Sequence, residues 1–240
     1  MTTMVDMRGI GKAYGEGAAR VEALRGVELA VPTGQMLSVM GPSGSGKSTL
    51  LHILGLLDLP TRGTYLLNGE DVSRISALKA AQIRGRRIGF VFQGIHLLPR
   101  LSAVDNVALP MVYSRMARRE TEERARAALE RVGVWDLAHR YPTQVSGGQA
   151  QRIAIARAIA PGPDLLVADE PTGALDRKSG RQVLSLFQAL HRELGLTIVI
   201  VTHDPDVAGH AERIVRMEDG RVIADETVAQ RKIAGEEPAR

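Results

Sequence analysis

Residues 41–49 read Gly-Pro-Ser-Gly-Ser-Gly-Lys-Ser-Thr, and Gly41 to Ser48 fit the pattern G-x-x-x-x-G-K-[ST]. The flanks give this run its power over the fold. Leu37-Ser-Val-Met40 reads as a short strand, and Ser48 to Leu57 as an apolar helix. A strand feeding a loop that opens a helix aims the bare N–H groups of the helix N-terminus at an anion. Gly41, Gly44 and Gly46 let backbone N–H groups turn inward around phosphate oxygens, which a Cβ would obstruct. Pro42, Ser43, Ser45 and Thr49 complete the cradle. Lys47 supplies a point charge to the β/γ-phosphates, and the Ser48 hydroxyl is a ligand for Mg²⁺. The expectation is a nucleoside triphosphate.

Composition bounds the rest. A chain of 240 residues accommodates one large α/β domain, or a core with an inserted subdomain. It is 44% hydrophobic but only 3% aromatic, so its core must be mostly aliphatic. Lys and Arg number 31 against 27 Asp and Glu, a formal charge of +4. Basic residues are not interleaved with aromatics, so nucleic acid is not the expected partner. Two local clusters, Arg84 to Arg87 and Arg115 to Arg119, read either as solvated faces or as a surface near anionic lipid. The absence of cysteine excludes disulfides, thiolate metal sites and cysteine nucleophiles. Residues 1–10 lack a signal-peptide apolar core, and no run of about 18 apolar residues occurs. These features predict a soluble, cytoplasmic protein.

The first third reads as β-rich, with extended segments at 21–24 and 27–31 stopped by Pro32-Thr-Gly34 and a hairpin signal at Asn68-Gly69. Pro99 and Pro110 are expected to break the stretch that follows. From Arg118 to Val132, apolar residues at 125, 128, 129 and 132 predict an amphipathic helix. In the last third, 164–168 and the β-branched run Thr197-Ile-Val-Ile-Val-Thr202 predict buried parallel strands. Val183, Phe187, Leu190 and Leu194 mark one helical face, and 214–223 folds about Asp219-Gly220 as a hairpin. Strands alternating with helices predict a parallel sheet wrapped on both faces, interrupted by a helical insertion.

A second set of residues handles the same ligand. Leu165-Leu-Val-Ala-Asp169-Glu170 is an apolar strand ending in two acids. Buried carboxylates are costly without a cation. Asp169 is placed to hold Mg²⁺ or its water, and Glu170 to polarise a water attacking the γ-phosphate. Val145-Ser146-Gly147-Gly148-Gln149 precedes a long helix. Alone it reads as a helix N-cap; beside the phosphate loop it reads as a second anion site. In a symmetric dimer, the Ser146 turn of one subunit would cap the phosphate held by the other, so that two ATP molecules are sandwiched. His203 and Gln93 each follow a strand, the edge where ligands bind in open α/β sheets. His203 is assigned to the γ-phosphate, and Gln93 to Mg²⁺ and the attacking water. Tyr14 is a candidate to stack on a base.

Together these motifs resemble the ATP-binding-cassette (ABC) ATPases over nearly the whole chain. Gly41 to Thr49 is similar to Walker A, and Leu165 to Asp169 to Walker B with catalytic Glu170. Val145 to Gln149 resembles the family signature, with Val where Leu is usual, and Ala150 stands where a longer polar residue is common. Gln93 resembles the Q-loop, Ala174-Leu-Asp176 the D-loop, His203 the switch histidine and Tyr14 the adenine-stacking aromatic.

The resemblance implies a P-loop, RecA-like α/β core with an antiparallel β region and an inserted α-helical subdomain. The boundaries would be 1–93 and 161–228 for the core, 94–160 for the subdomain and 229–240 for a polar tail. It also implies ATP and Mg²⁺ as ligands, and Asp176 at the nucleotide. Residues 92–99, 104–110 and 168–176 are similar to the macrolide-exporter, lipoprotein-releasing and cell-division group. That group implies an integral membrane permease subunit with an extracytoplasmic domain, a head-to-tail homodimer and a place at the cytoplasmic face of the membrane. Leu97, Leu98 and Leu101 are then candidate contacts to that subunit, or subdomain core. The competing expectation is a soluble ABC ATPase acting on ribosomes or nucleic acid. Such proteins join two cassettes, or insert coiled coils or zinc motifs, and neither is present.

Overall fold

The computed structural model describes residues 2–113 and 116–234; Met1, Arg115 of the second arginine cluster and residues 235–240 of the expected tail lie outside the described residues. The chain runs β1 (Thr3–Tyr14), β2 (Val21–Pro32), β3 (Met36–Met40), α1 (Lys47–Leu54), β4 (Arg62–Leu67), β5 (Glu70–Asp71), α2 (Ala77–Arg87) and β6 (Ile88–Val91). It continues through α3 (Ala103–Tyr113), α4 (Arg118–Arg131), α5 (Gly147–Ile159), β7 (Leu165–Asp169), α6 (Arg177–Leu194), β8 (Thr197–Thr202), α7 (Pro205–Ala208), β9 (Arg213–Glu218) and β10 (Arg221–Thr227). An antiparallel sheet has the order β2-β1-β4-β5, and a second sheet the order β10-β9-β3-β8-β7-β6. In the second, only the β9–β10 pairing is antiparallel.

The central strands are apolar throughout because both faces of their sheet are covered. Side chains alternate across a strand. Leu165, Val167, Val199 and Val201 therefore join one core with α1 and the antiparallel sheet. Leu166, Ala168, Ile198 and Ile200 join the other, with residues of α3, α4, α5 and α6. Full burial of each Val, Leu or Ile among them contributes about 1.5–3 kcal/mol. The result is three layers with a parallel sheet in the middle. Among the described residues no helix is long and apolar enough to cross a membrane.

Several local expectations need correction. The two segments at 21–24 and 27–31 form one strand, β2, whose pairing with β1 shifts register repeatedly and carries Gly26 at φ +77°. The helix after the phosphate loop stops at Leu54; Gly55 caps it and Leu56 takes φ +52°. Pro110 does not break the chain but sits inside α3. A helical proline forfeits one i→i−4 bond, and burial of Val107 and Met111 in the same helix offsets that loss. Leu194, on the last turn of α6, is 43% exposed rather than on the buried face.

Two polar side chains organise the loops. The buried Asn106 amide donates to the carbonyls of Leu98, Leu101 and Ser102 and accepts from Leu98 N–H, fixing the leucine-bearing loop after Gln93. Leu97 packs against the core, whereas Leu98 is 45% exposed. Buried Gln188 donates to Lys232 C=O at 2.7 Å and accepts from Ala234 N–H at 2.9 Å, as a neighbouring strand would. Arg231 donates to His210 C=O, so the described part of the tail is strapped to the core.

Candidate active site

Parallel strands bring their carboxyl ends to one edge, and the register is specific: Met40 lies beside Thr202, Asp169 beside Val201, and Val91 beside Ala168. At that edge opens a cavity of about 450 Å³ lined by Ala23, Ser43, Gly44, Gly46, Lys47, Ser48, Thr49, Gln93, Asp169, Glu170, Val201 and His203. Residues separated by more than 150 positions in sequence thus meet in one polar hollow.

The loop between β3 and α1 is braced from outside. Gly46 caps α1 at φ +97°, and a Cβ there would stand 2.6 Å from Ala23 C=O. A Cβ on Gly41 would stand 2.2 Å from Met217 C=O in β9, and Gly220 N–H donates to Ser45 C=O from the β9–β10 turn. Only glycine permits this close approach. The Lys47 ammonium donates to the carbonyls of Gly41 and Pro42, at 2.7 and 2.8 Å, across the mouth of the loop. Burial lowers its pKa, against the opposing pull of Glu170 and Asp169.

Asp169 ends β7 with its carboxyl pushed above the usual range, first by burial and then by Glu170, with His52 and Lys47 opposing. The pair is short of positive charge. Ser48, Gln93 and Asp169 together offer a hydroxyl, an amide and a carboxylate. This set of hard oxygens fits Mg²⁺, which takes few protein ligands and keeps waters and phosphate oxygens for the rest. Among the described residues no cluster of three or more His, Asp and Glu offers a rival metal site.

Glu170 takes φ +42°, a conformation that costs a non-glycine residue about 1–3 kcal/mol and persists only where the surroundings fix it. Its Oε2 accepts from Thr202 Oγ1 at 3.0 Å. Its Oε1 accepts from His203 N–H at 2.9 Å and lies 2.6 Å from His203 Nδ1. The Glu170 side chain is 15% exposed and the His203 ring 73%, so an inward acid is covered by an outward imidazole.

The remaining expected residues stand apart from this cavity. Ser146 caps α5 and exchanges bonds with Gln149 in a reciprocal capping box, with Gly147 and Gly148 opening the helix. Asp176 accepts from Lys178 and Ser179 N–H as the cap of α6, in a separate cleft with Thr172, Arg177, Asp204 and Asp206. Tyr14 is 43% exposed at the end of β1, its hydroxyl donating to Asp58 at 2.9 Å. Sequence reasoning missed Asp58 and Thr202, and it read the β9–β10 hairpin without its bracing of the phosphate loop.

A phosphate loop at a parallel strand's end, facing paired acids, defines a P-loop nucleotide hydrolase. The comparisons with known proteins narrow this. A family model described as ABC transporter matches residues 24–173. An ABC transporter ATP-binding protein of Thermotoga maritima is 51% identical, over 92% of this chain and 94% of its own. A macrolide export ATP-binding/permease protein, MacB 2 of Aeromonas hydrophila, is 46% identical over 92% of this chain but only 34% of its own length. The ATP-binding cassette MJ0796, solved as a dimer in a post-hydrolysis state bound to ADP and Pi, superposes with a TM-score of 0.86 at 41% identity, covering 95% of this chain and 100% of that one. The chain belongs to the ABC transporter family. It is an ATP-hydrolysing ATPase with the ABC ATPase fold, and its relatives are named as ABC transporter ATP-binding proteins or ATP-binding/permease proteins.

Proposed function

We propose that the chain is the motor subunit of a membrane ABC complex, in which ATP-driven closure of two copies moves a partner permease subunit. The observation that carries this reading is the division of the expected site. The phosphate loop, Gln93, Asp169, Glu170 and His203 share one cavity, while Ser146 to Gln149 form a helix N-terminus outside it. A head-to-tail dimer completes the site by bringing the partner's Ser146 turn over the phosphates. Asp176 would approach the nucleotide across the same interface.

Lys47 exchanges its carbonyl partners for β/γ-phosphate oxygens as the triphosphate enters the loop. Loop N–H groups hold the charge that develops in transfer. Ser48, Asp169 and Gln93 would hold Mg²⁺, which when bound would supply further neutralisation of that charge. Gln93 orients the attacking water, and Glu170 accepts its proton as in-line attack on the γ-phosphorus proceeds. His203 turns its exposed ring to the γ-phosphate. The cassette sits at the cytoplasmic face of the membrane through its permease. The MacB relatives, whose name joins macrolide export with ATP-binding and permease parts, support a permease partner and export; mechanotransmission through a permease bearing an extracytoplasmic domain is the finer form of the proposal.

The test is purification of the Glu170→Gln variant from membranes in Mg-ATP. A stoichiometric integral membrane protein with a large extracytoplasmic domain is expected. Recovery with ribosomes or DNA and no membrane subunit would contradict the membrane role.

A further inference from the structure

Around Tyr14, the expected base-stacking residue, lies a side-chain network that the reaction itself does not use. Tyr14 ends β1 with its ring 43% exposed, a position in which an aromatic side chain ordinarily samples several rotamers. Here it is held at two points. Its hydroxyl donates to Asp58 Oδ2 at 2.9 Å, and the Lys12 ammonium stands 5.0 Å from the ring centroid, within cation–π range. Asp58 lies in the loop between α1 and β4 and is itself fixed. Its Oδ1 accepts from Lys12 Nζ at 2.6 Å and from Leu59 N–H at 2.8 Å, while Lys12 Nζ also donates to Leu59 C=O at 2.8 Å. The Lys12 side chain is only 13% exposed, so this ion pair is more than a solvent-screened surface contact.

We propose that Asp58, seated by Lys12, is a positioning residue that pre-orders the Tyr14 ring as a flat platform for the nucleobase. The proposal rests on the reading of Tyr14 as the base-stacking residue. A ring ordered before binding spares the nucleotide the entropy of ordering it, a saving worth roughly 3- to 10-fold in affinity. The saving applies only to ligands that carry a base. Phosphate capture at Lys47 proceeds without it.

Equilibrium titration of the full chain with Mg-ATP and with magnesium tripolyphosphate, which has no base, separates the possibilities. Asp58→Ala is expected to raise Kd for ATP roughly 3- to 10-fold and to leave Kd for tripolyphosphate unchanged. Tyr14→Phe, which keeps the ring and loses its tether, is expected to follow it. Asp58→Asn, which keeps an acceptor for the hydroxyl but turns its amide nitrogen toward the donors Lys12 Nζ and Leu59 N–H, is expected to recover only part of the loss. Equal weakening of both ligands in Asp58→Ala and Tyr14→Phe would overturn the proposal in favour of a general structural role. If Tyr14→Ala weakens ATP binding but Asp58→Ala and Tyr14→Phe do not, the pre-ordering is wrong and the stacking assignment stands. If Tyr14→Ala leaves ATP binding intact, the stacking assignment itself fails.

Discussion

Asp169 and Lys47 are ionisable groups that the nucleotide-free fold holds at some cost. Burial raises the Asp169 carboxyl and lowers the Lys47 ammonium, each toward its neutral form. A carboxyl whose folded value exceeds its unfolded one binds protons more readily in the native chain. It costs no stability below the unfolded value, and its cost grows as pH rises through the folded value. Asp169→Asn should therefore raise the thermal midpoint of the nucleotide-free protein by a few degrees at neutral pH, and by little near pH 4. Stabilisation by Mg-ATP should be lost in the same variant. An unchanged or lowered midpoint at neutral pH, read by scanning calorimetry, would contradict this account of the pair. These residues were legible in sequence because each belongs to a run whose spacing carries meaning: glycines before a lysine, an apolar strand before two acids. Thr202 and Asp58 were not. A hydroxyl at a strand end or an acid in a loop has no periodicity, and only the fold shows that one meets Glu170 and the other Tyr14.

Elements whose burial is two-sided were read best. β3, β7 and β8 are continuous apolar runs, and the pattern identifies them unaided. Elements with weaker patterns were missed or misjudged. In β1 and β2 the register shifts break the period-two alternation that would announce long strands. α2 buries only Ala80 and Ile83, so its stripe is too thin to distinguish from a basic loop. α3 was obscured by Pro110, because a rule about proline in isolated helices does not weigh the packing that a tertiary fold supplies. The tail reads as polar because its anchor is not its own: the grip belongs to Gln188 on α6. Gln188→Ala should speed hydrogen exchange at Ala234 and cost about 1–3 kcal/mol in urea denaturation, the scale of buried polar groups left unpaired. Unaltered exchange and stability would mean that the strap is held by Arg231 and Lys232 alone.

Across the whole molecule, the three-layer fold explains why half of the expected nucleotide site is contiguous and half is not. The sheet's carboxyl edge gathers residues from four strands into one cavity, whereas α5 projects its N-terminus elsewhere. The order of motifs in the sequence points to both halves. It could not give their separation, which depends on how the helices pack on the sheet. In the proposed dimer, two incomplete surfaces on one chain complement each other in a second copy, with the triphosphate as the bridge between them. The proposal has ATP holding the halves together and hydrolysis releasing them, which makes Glu170 the residue at which closure and turnover part company. The decisive measurement is therefore the Glu170→Gln variant, assayed for ATP turnover and for mass by analytical ultracentrifugation with and without Mg-ATP. Turnover is expected to fall roughly 10²–10⁴-fold, with a dimer that forms only when Mg-ATP is present. Wild-type turnover, or a chain that stays monomeric at saturating Mg-ATP, would contradict the account.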